Sequence, residues 1–166
     1  MRVKTINAIV EEVRLIDGST AVNQSMIRVL AENKKLDFLY RGNRLVCDAD
    51  KLPEQLNQLF RLIDNTEMPR IRSIHNAFLE LRELNPELGI SEEMIRRLVG
   101  MGKLPHIRVG NRAYVALESF DPPYNECLLC DDYRDSEKAM IDEIVKKQFA
   151  QSMERRHKRK NQKVGA

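Results

Sequence analysis

The sequence predicts a mostly α, α+β fold in which one small unit, two helices followed by a short basic hairpin, occurs twice. Three observations predict it. Apolar residues recur at helical spacing in successive segments, each preceded by a residue suited to cap a helix. Gly42-Asn43 and Gly110-Asn111 each separate two short runs and mark hairpin turns. A shift of 68 residues superposes positions 5–48 on 73–116 without a gap, and 12 of the 44 pairs are identical. Helical amphipathicity alone can mimic a weak repeat, but it would not align Gly-Asn-Arg at the same offset. The chain therefore reads as an internal duplication.

Taken in order, Thr5 caps a helix to Ile16 whose apolar positions are Ile6, Ile9, Val10, Val13 and Ile16, and Asp17-Gly18-Ser19 breaks it. Asn23 caps a second helix, Gln24 to Asn33, with Met26, Ile27, Leu30 and Ala31 facing inward. The run Leu36 to Tyr40, the Gly42-Asn43 turn and Arg44 to Cys47 form the first hairpin. Asp48 and Asp50 open a third helix, with Pro53 tolerated in its first turn and Leu52, Leu56, Leu59, Phe60 and Ile63 as its buried stripe.

Then the pattern restarts. Ser73 caps a helix bearing Ile74, Ala77, Phe78, Leu81 and Leu84, ended by Asn85-Pro86. Ser91 caps the next, where Glu92 and Glu93 complement the positive end of the helix dipole. Met94, Ile95, Leu98 and Val99 give that helix one apolar face, and Gly102 suits a left-handed C-terminal cap. His106 to Val109, Gly110-Asn111 and Arg112 to Ala116 complete the second hairpin. Pro122-Pro123 stops any counterpart of the third helix almost as it starts. Ser136-Glu137 opens a final helix with the stripe Met140, Ile141, Ile144, Val145, Phe149 and Met153.

The expected organisation is a first unit over residues 1–63, a polar linker over 64–72, a second unit over 73–121, an acidic loop over 122–135, and a C-terminal helix with a basic tail over 136–166. The net charge of +3 is modest, but its distribution is not. Residues 117–143 carry nine acidic side chains against two basic, and residues 144–166 carry eight basic against one acidic. Such asymmetry fits a basic arm for a polyanion, or two segments that attract each other. Three cysteines make no disulfide framework, which fits a reducing compartment. With no signal-peptide pattern and no run of transmembrane length, a cytoplasmic protein without membrane contact is expected.

A helix followed at once by a small basic hairpin suggests a recognition helix and a wing, and so double-stranded DNA as the partner. Two such units in tandem would be two winged helix-turn-helix domains. In that arrangement the second helix lies in the major groove and its exposed side chains read base edges. Here those are Glu92, Glu93, Arg96, Arg97 and Gly100. Either arginine can contact guanine through two hydrogen bonds, which contributes about 1–3 kcal/mol of discrimination. The other reading of the same residues is ion pairing of the arginines with Glu92 and Glu93 one turn away. Lys103, Arg108, Asn111 and Arg112 lie beside and on the hairpin, where cations reach phosphates and position a protein without specifying sequence. The first unit offers Arg28, Lys34, Lys35, Arg41, Asn43 and Arg44. Tyr114 is expected to pack rather than stack on a base.

The run Arg155 to Lys163 is a candidate phosphate-binding arm, or equally a solubilising tail or a cover for the acidic 117–143 segment. The stripe before it suits either a core or self-association. Cys127-Leu-Leu-Cys130 has metal-ligand spacing, but a structural zinc site needs four ligands and the chain holds no second pair. No metal and no cofactor are expected. Without a Walker loop, a carboxylate pair on a recognisable scaffold or a Ser/His/Asp motif, neither is an enzyme.

The second unit resembles the excisionase family of winged helix-turn-helix proteins, which includes recombination directionality factors and small regulators of mobile elements. The resemblance covers residues 73–121 and is carried by Ser91, Arg97, Leu98, Gly102, Lys103-Leu104-Pro105 and Arg108-Val109-Gly110-Asn111-Arg112. It implies a sequence-specific DNA-binding accessory factor in excision, or a transcriptional regulator, of a mobile element or phage, with a site-specific recombinase as a possible partner. It also implies that the Ser91–Met101 helix enters the major groove and the hairpin touches the backbone or minor groove. The first unit departs from that pattern at Lys34 for Gly102, Asp37 for Pro105 and Tyr40-Arg41 for Arg108-Val109. A DNA regulator with no architectural role, or an assembly module in which one unit makes protein contacts, are the alternative expectations.

Overall fold

Four helices begin where their capping chemistry places them. In the computed structural model, which describes residues 1–87, 89–120 and 142–155, the side-chain oxygens of Thr5, Asn23, Ser73 and Ser91 each accept a hydrogen bond from the backbone N–H three residues on. They open α1 (Ile6–Ile16), α2 (Gln24–Glu32), α4 (Ile74–Leu84) and α5 (Glu92–Gly100). Between these pairs lies α3 (Leu52–Leu59). The strands are β1 (Val3–Thr5), β2 (Phe38–Arg41), β3 (Arg44–Asp48), β4 (Ile71–Ser73), β5 (Ile107–Val109) and β6 (Arg112–Ala116). The structure is mixed α+β, with two three-stranded antiparallel sheets ordered β1-β3-β2 and β4-β6-β5.

The second set of elements follows the first at the same 68-residue offset as the sequence. Register agrees too: Val3 lies opposite Asp48 as Ile71 lies opposite Ala116, and Arg41 lies opposite Arg44 as Val109 lies opposite Arg112. The departures at Asp37 and Tyr40-Arg41 thus leave the strand path unchanged. Each hairpin turns on a glycine at φ +60, Gly42 or Gly110, at the first central position.

Three helices stop in the same way. After α5, Lys103 N–H donates to the Leu98 carbonyl and Gly102 N–H to Val99, which is the Schellman pattern with Gly102 at φ +70. Lys34 takes that position after α2 at φ +56, and Arg61 takes it after α3, also at φ +56. The turn at Arg61 corrects the expected stripe of the third helix. The reversal carries Leu62 into the core, at 1% exposure, and leaves Ile63 at 89%. Nor do Asp48 and Asp50 cap α3: Lys51 precedes it without a side-chain bond, while the Asp48 carboxylate accepts from the N–H groups of Arg2 and Asp50. Ile16 and Leu84, at equivalent ends of α1 and α4, are exposed rather than buried, because each helix outruns the core at its last residue.

The stretch 64–72 is tied down along its length. Buried Asn57 donates from its amide to the carbonyls of Asn65 and Glu67, each at 2.9 Å, and Arg70 N–H donates to Glu118. Its last two residues belong to β4, where Ile71 and Arg72 are buried. Beyond β6, a single 3₁₀ turn, Leu117–Phe120, stands where α3 follows β3. The apolar cluster of the first repeat reaches into the second: Ile71, Ile107, Tyr114 and Ala116 pack in the same cluster as Ile9, Ile27, Leu30, Leu56 and Phe60. Each such side chain fully withdrawn from water contributes about 1.5–3 kcal/mol.

Residues Met1–Glu126 form one compact unit and Cys127–Ala166 a second. In the second, residues 142–155 form a helix on which Ile144, Val145, Phe149 and Met153 are exposed. Met140 and Ile141, the acidic loop over 122–135, and the tail beyond Arg155 lie outside the described residues. No described helix is long and apolar enough to cross a membrane.

Candidate nucleic-acid interface

Each repeat carries a notch at the same place. In the second repeat it encloses about 290 Å³ and is lined by the first turn of α4 (Ser73, Ile74, His75), by Arg96 and Val99 of α5, and by Arg108 and Asn111 to Ala113 of the hairpin. In the first repeat it encloses about 410 Å³ between Thr5, Ile6 and Asn7, Arg28 of α2, and Asn43 to Leu45. Shifting the first list by 68 residues lands it on the second. Three local causes converge there. The caps aim the start of an 11-residue helix at the notch, and neither α1 nor α4 has an acidic residue in its first turn to neutralise the dipole. The amphipathic phase of α2 and α5 turns Arg28 and Arg96 outward, opposite Ile27 and Ile95 in the core. The glycine turns project Asn43-Arg44 and Asn111-Arg112 from the hairpin tips.

No carboxylate lines either notch. Arg28, Lys34, Lys35, Arg41, Arg44, Arg108 and Arg112 are exposed and form no ion pair among the described residues. Arg41 stands directly across the ladder from Arg44, a like-charge pairing that disfavours the hairpin unless an anion answers it. Arg2, Lys4, Arg70 and Arg72, by contrast, all meet carboxylates within 3.0 Å.

The second repeat differs by one network. His75 Nδ1 lies 2.8 Å from one Glu92 oxygen, and Arg96 Nη2 donates to the other at 2.5 Å. The contact with His75, and then that with Arg96, holds the Glu92 carboxyl below the ordinary carboxylate range. The pairing alternative for the arginines therefore applies to Arg96, and Arg96 faces the notch already oriented. Arg97 has no such pair: it is half-buried, with Nη1 enclosed and lacking a hydrogen-bond partner, and it does not line the notch. Glu93 is exposed on the first turn of α5, and Lys103 is exposed just past its end.

Asn7 and His75 line the notches without having been singled out as contacts. Their signal in the sequence was position alone: each is the second residue after a cap. Tyr40, 64% exposed, takes the place of Arg108 in the first hairpin and packs edge-on against Phe38, with ring centroids 5.6 Å apart. Tyr114 is buried at 7% exposure in the shared core, so it packs as expected. Among the described residues no cluster of His, Cys, Asp or Glu could hold a metal ion, and Cys127 and Cys130 lie outside them. Buried Cys47 has its thiol pKa pushed up by desolvation, which makes it a poor nucleophile.

Compared with protein-family models, with curated proteins and with solved structures, the chain matches none.

Proposed function

We propose that the protein binds double-stranded DNA through two tandem winged helix-turn-helix units, with the notches as its phosphate-contacting surfaces. One observation carries the reading: an arginine from the second helix, a helix N-terminus and an asparagine-arginine turn whose arginine forms no ion pair among the described residues converge at equivalent places in both repeats. A B-form duplex presents two negative charges per base pair along a backbone that both a hairpin and a helix can follow. In this reading α2 and α5 lie in successive major grooves. Arg96, aligned by Glu92, reads a base edge, and Asn43-Arg44 and Asn111-Arg112 hold the flanking backbone.

The excisionase resemblance extends the proposal to an accessory role in site-specific recombination, or to regulation within a mobile element. Two anchored units would bend the duplex at an elastic cost of order 1–6 kcal/mol, offset by contacts, and so help a recombinase assemble. That step rests on the resemblance alone. The exposed stripe on the 142–155 helix supports a second contact surface, through which copies of the chain would associate.

The test is a titration of the full chain against a labelled random-sequence duplex at low salt, followed by selection of a preferred site. Binding that weakens steeply with salt is expected. No binding at low salt would sink the proposal.

A further inference from the structure

We infer that buried Arg72 clamps the two repeats at one fixed spacing and phase, so that the protein acts as a rigid ruler for a two-part duplex site. This rests on the DNA reading above and deepens it. Arg72 sits on β4 at 3% exposure. Its Nη1 and Nη2 donate to both oxygens of Asp17, at 2.6 and 3.0 Å, and Asp17 caps the end of α1 in the other repeat. Its Nε and Nη2 donate to both oxygens of Glu80, at 2.8 and 3.2 Å, and Nη1 also donates to the Ile71 carbonyl at 3.0 Å. All five guanidinium hydrogens are therefore engaged, in a planar fork that fixes orientation as well as distance.

The repeat itself says which half of this arrangement is additional. At the position of Arg72 the first repeat has Lys4, which is partly exposed and bonds only Glu12, the counterpart of Glu80, at 2.6 Å. At the position of Asp17 the second repeat has neutral Asn85. A lysine and one glutamate suffice to tie the first strand of a repeat to its own helix. The arginine and Asp17 add the bond between repeats, and Asp17 Oδ1 also accepts from the Ser19 N–H at 3.2 Å in its own turn.

Other contacts remove the remaining freedom. Ala21 N–H donates to the Ile71 carbonyl at 2.9 Å, the apolar core is continuous across the boundary, and α2 lies against β5. The connection is pinned at Asn57 and at Arg70–Glu118. The helix of one notch and the hairpin strand of the other are thus neighbours in a single packed body. A tether that let the repeats rotate independently would tolerate changes in site spacing, and this one does not.

The experiment starts from a duplex selected out of a random library by the full chain and footprinted. Insertions of about 2 to 10 bp, which span one helical turn of roughly 10–10.5 bp, are placed between its two halves. The natural protein is expected to lose on the order of 10²-fold in affinity at every insertion, down to the level of an isolated half-site, as simultaneous engagement is lost. Arg72→Lys and Asp17→Asn each install the residue that the other repeat already carries. Both variants are expected to keep half-site affinity while the loss at each insertion becomes several-fold smaller than in the natural protein, since the Ala21–Ile71 bond and the apolar contacts still join the repeats. A natural protein indifferent to insertions, a footprint covering one half only, or variants with full spacing dependence would each overturn the inference. The insertion series on the natural protein decides it even where a variant loses its fold. Absence of binding to any duplex at low salt would instead overturn the DNA reading, and the ruler with it.

Discussion

Replacing Arg44 and Arg112 together by alanine tests the notches most directly, because their side chains occupy the same place in each repeat and form no ion pair among the described residues. Seven exposed cations without ion pairs, Arg28, Lys34, Lys35, Arg41, Arg44, Arg108 and Arg112, are available to a duplex. If each meets one phosphate, log K falls with log salt at a slope of about −6, at roughly −0.9 per contact. From 50 to 200 mM salt the natural chain then loses roughly 10³ to 10⁴ in affinity, and the double variant, with a slope of about −4.5, loses between 10² and 10³. Fluorescence anisotropy of a labelled duplex at four or five salt concentrations measures both slopes. The control is Arg14→Ala with Arg82→Ala. These residues are also exposed, also equivalent between repeats and also without ion pairs, but they line neither notch. Net charge changes equally in the two double variants. Equal slopes for the two would refute the notch as the contact surface and leave only diffuse attraction.

Three further outcomes concern the scaffold. Gly102→Ala is expected to destabilise by about 1–2 kcal/mol in denaturant titration, a purely backbone cost since the added carbon meets nothing within 4 Å, and Lys34→Gly, at the equivalent left-handed position, is expected to stabilise by about 0.5–1 kcal/mol. Asn57→Ala is expected to cost about 1–3 kcal/mol, since the carbonyls of Asn65 and Glu67 lose their donor, and to make the 64–68 segment newly sensitive to limited proteolysis. Acid unfolding has a determined sign. Lys4 and Arg2 hold the Glu12 carboxyl low, Arg2 and the N-terminal ammonium hold Asp50 low, and His75 and Arg96 hold Glu92 low. Depressed carboxylates contribute stability that is fully present above their unfolded pKa values and lost as the pH falls through the folded ones. The melting temperature should therefore hold from neutrality to about pH 5 and drop below that, and less so in a Glu12→Gln, Asp50→Asn variant.

Much of the fold was legible because its signals are local. All four polar caps, both glycine turns and the glycine end of α5 follow from one or two residues each. What escaped the sequence needed partners distant in the chain. Strands β1 and β4 are three residues long, too short for alternation to show, and exist only because β3 and β6 pair with them across more than 40 residues. Leu62 and Ile63 exchanged roles because nothing marks Arg61 as a left-handed residue, and one such residue reverses the helical phase that follows. The linker reading of 64–72 failed to see Asn57, a polar residue on an otherwise apolar face whose burial only the folded loop explains. For the candidate site, Arg28, Arg44, Arg96, Arg108 and Arg112 could be placed from helical phase and turn position. The Glu92–His75 contact could not, since it joins two helices 17 residues apart.

Comparing the two repeats position by position separates packing from function without any other sequence. Identical pairs such as Ile27/Ile95, Leu30/Leu98 and Leu36/Leu104 are buried, so a shared core accounts for them. Glu12/Glu80 is accounted for by an ion pair in each repeat, and Arg14/Arg82 by its place in the last turn of a helix, where a cation answers the dipole. Gly42/Gly110 is required by its φ. Four pairs are left over, all exposed in both repeats: Arg28/Arg96, Asn43/Asn111 and Arg44/Arg112 line a notch, while Lys35/Lys103 lies just past the ends of α2 and α5 and lines neither. The pairs that differ most tell the complementary story. Leu39, 60% exposed, corresponds to Ile107 at 2%, and Lys4 and Asn85 correspond to Arg72 and Asp17, which form the bond between repeats. The two repeats therefore share three notch residues, Arg28/Arg96, Asn43/Asn111 and Arg44/Arg112, and differ at the surfaces where one repeat meets the other. That is the pattern the proposed DNA reading requires, with one contact chemistry in two copies held at a fixed distance.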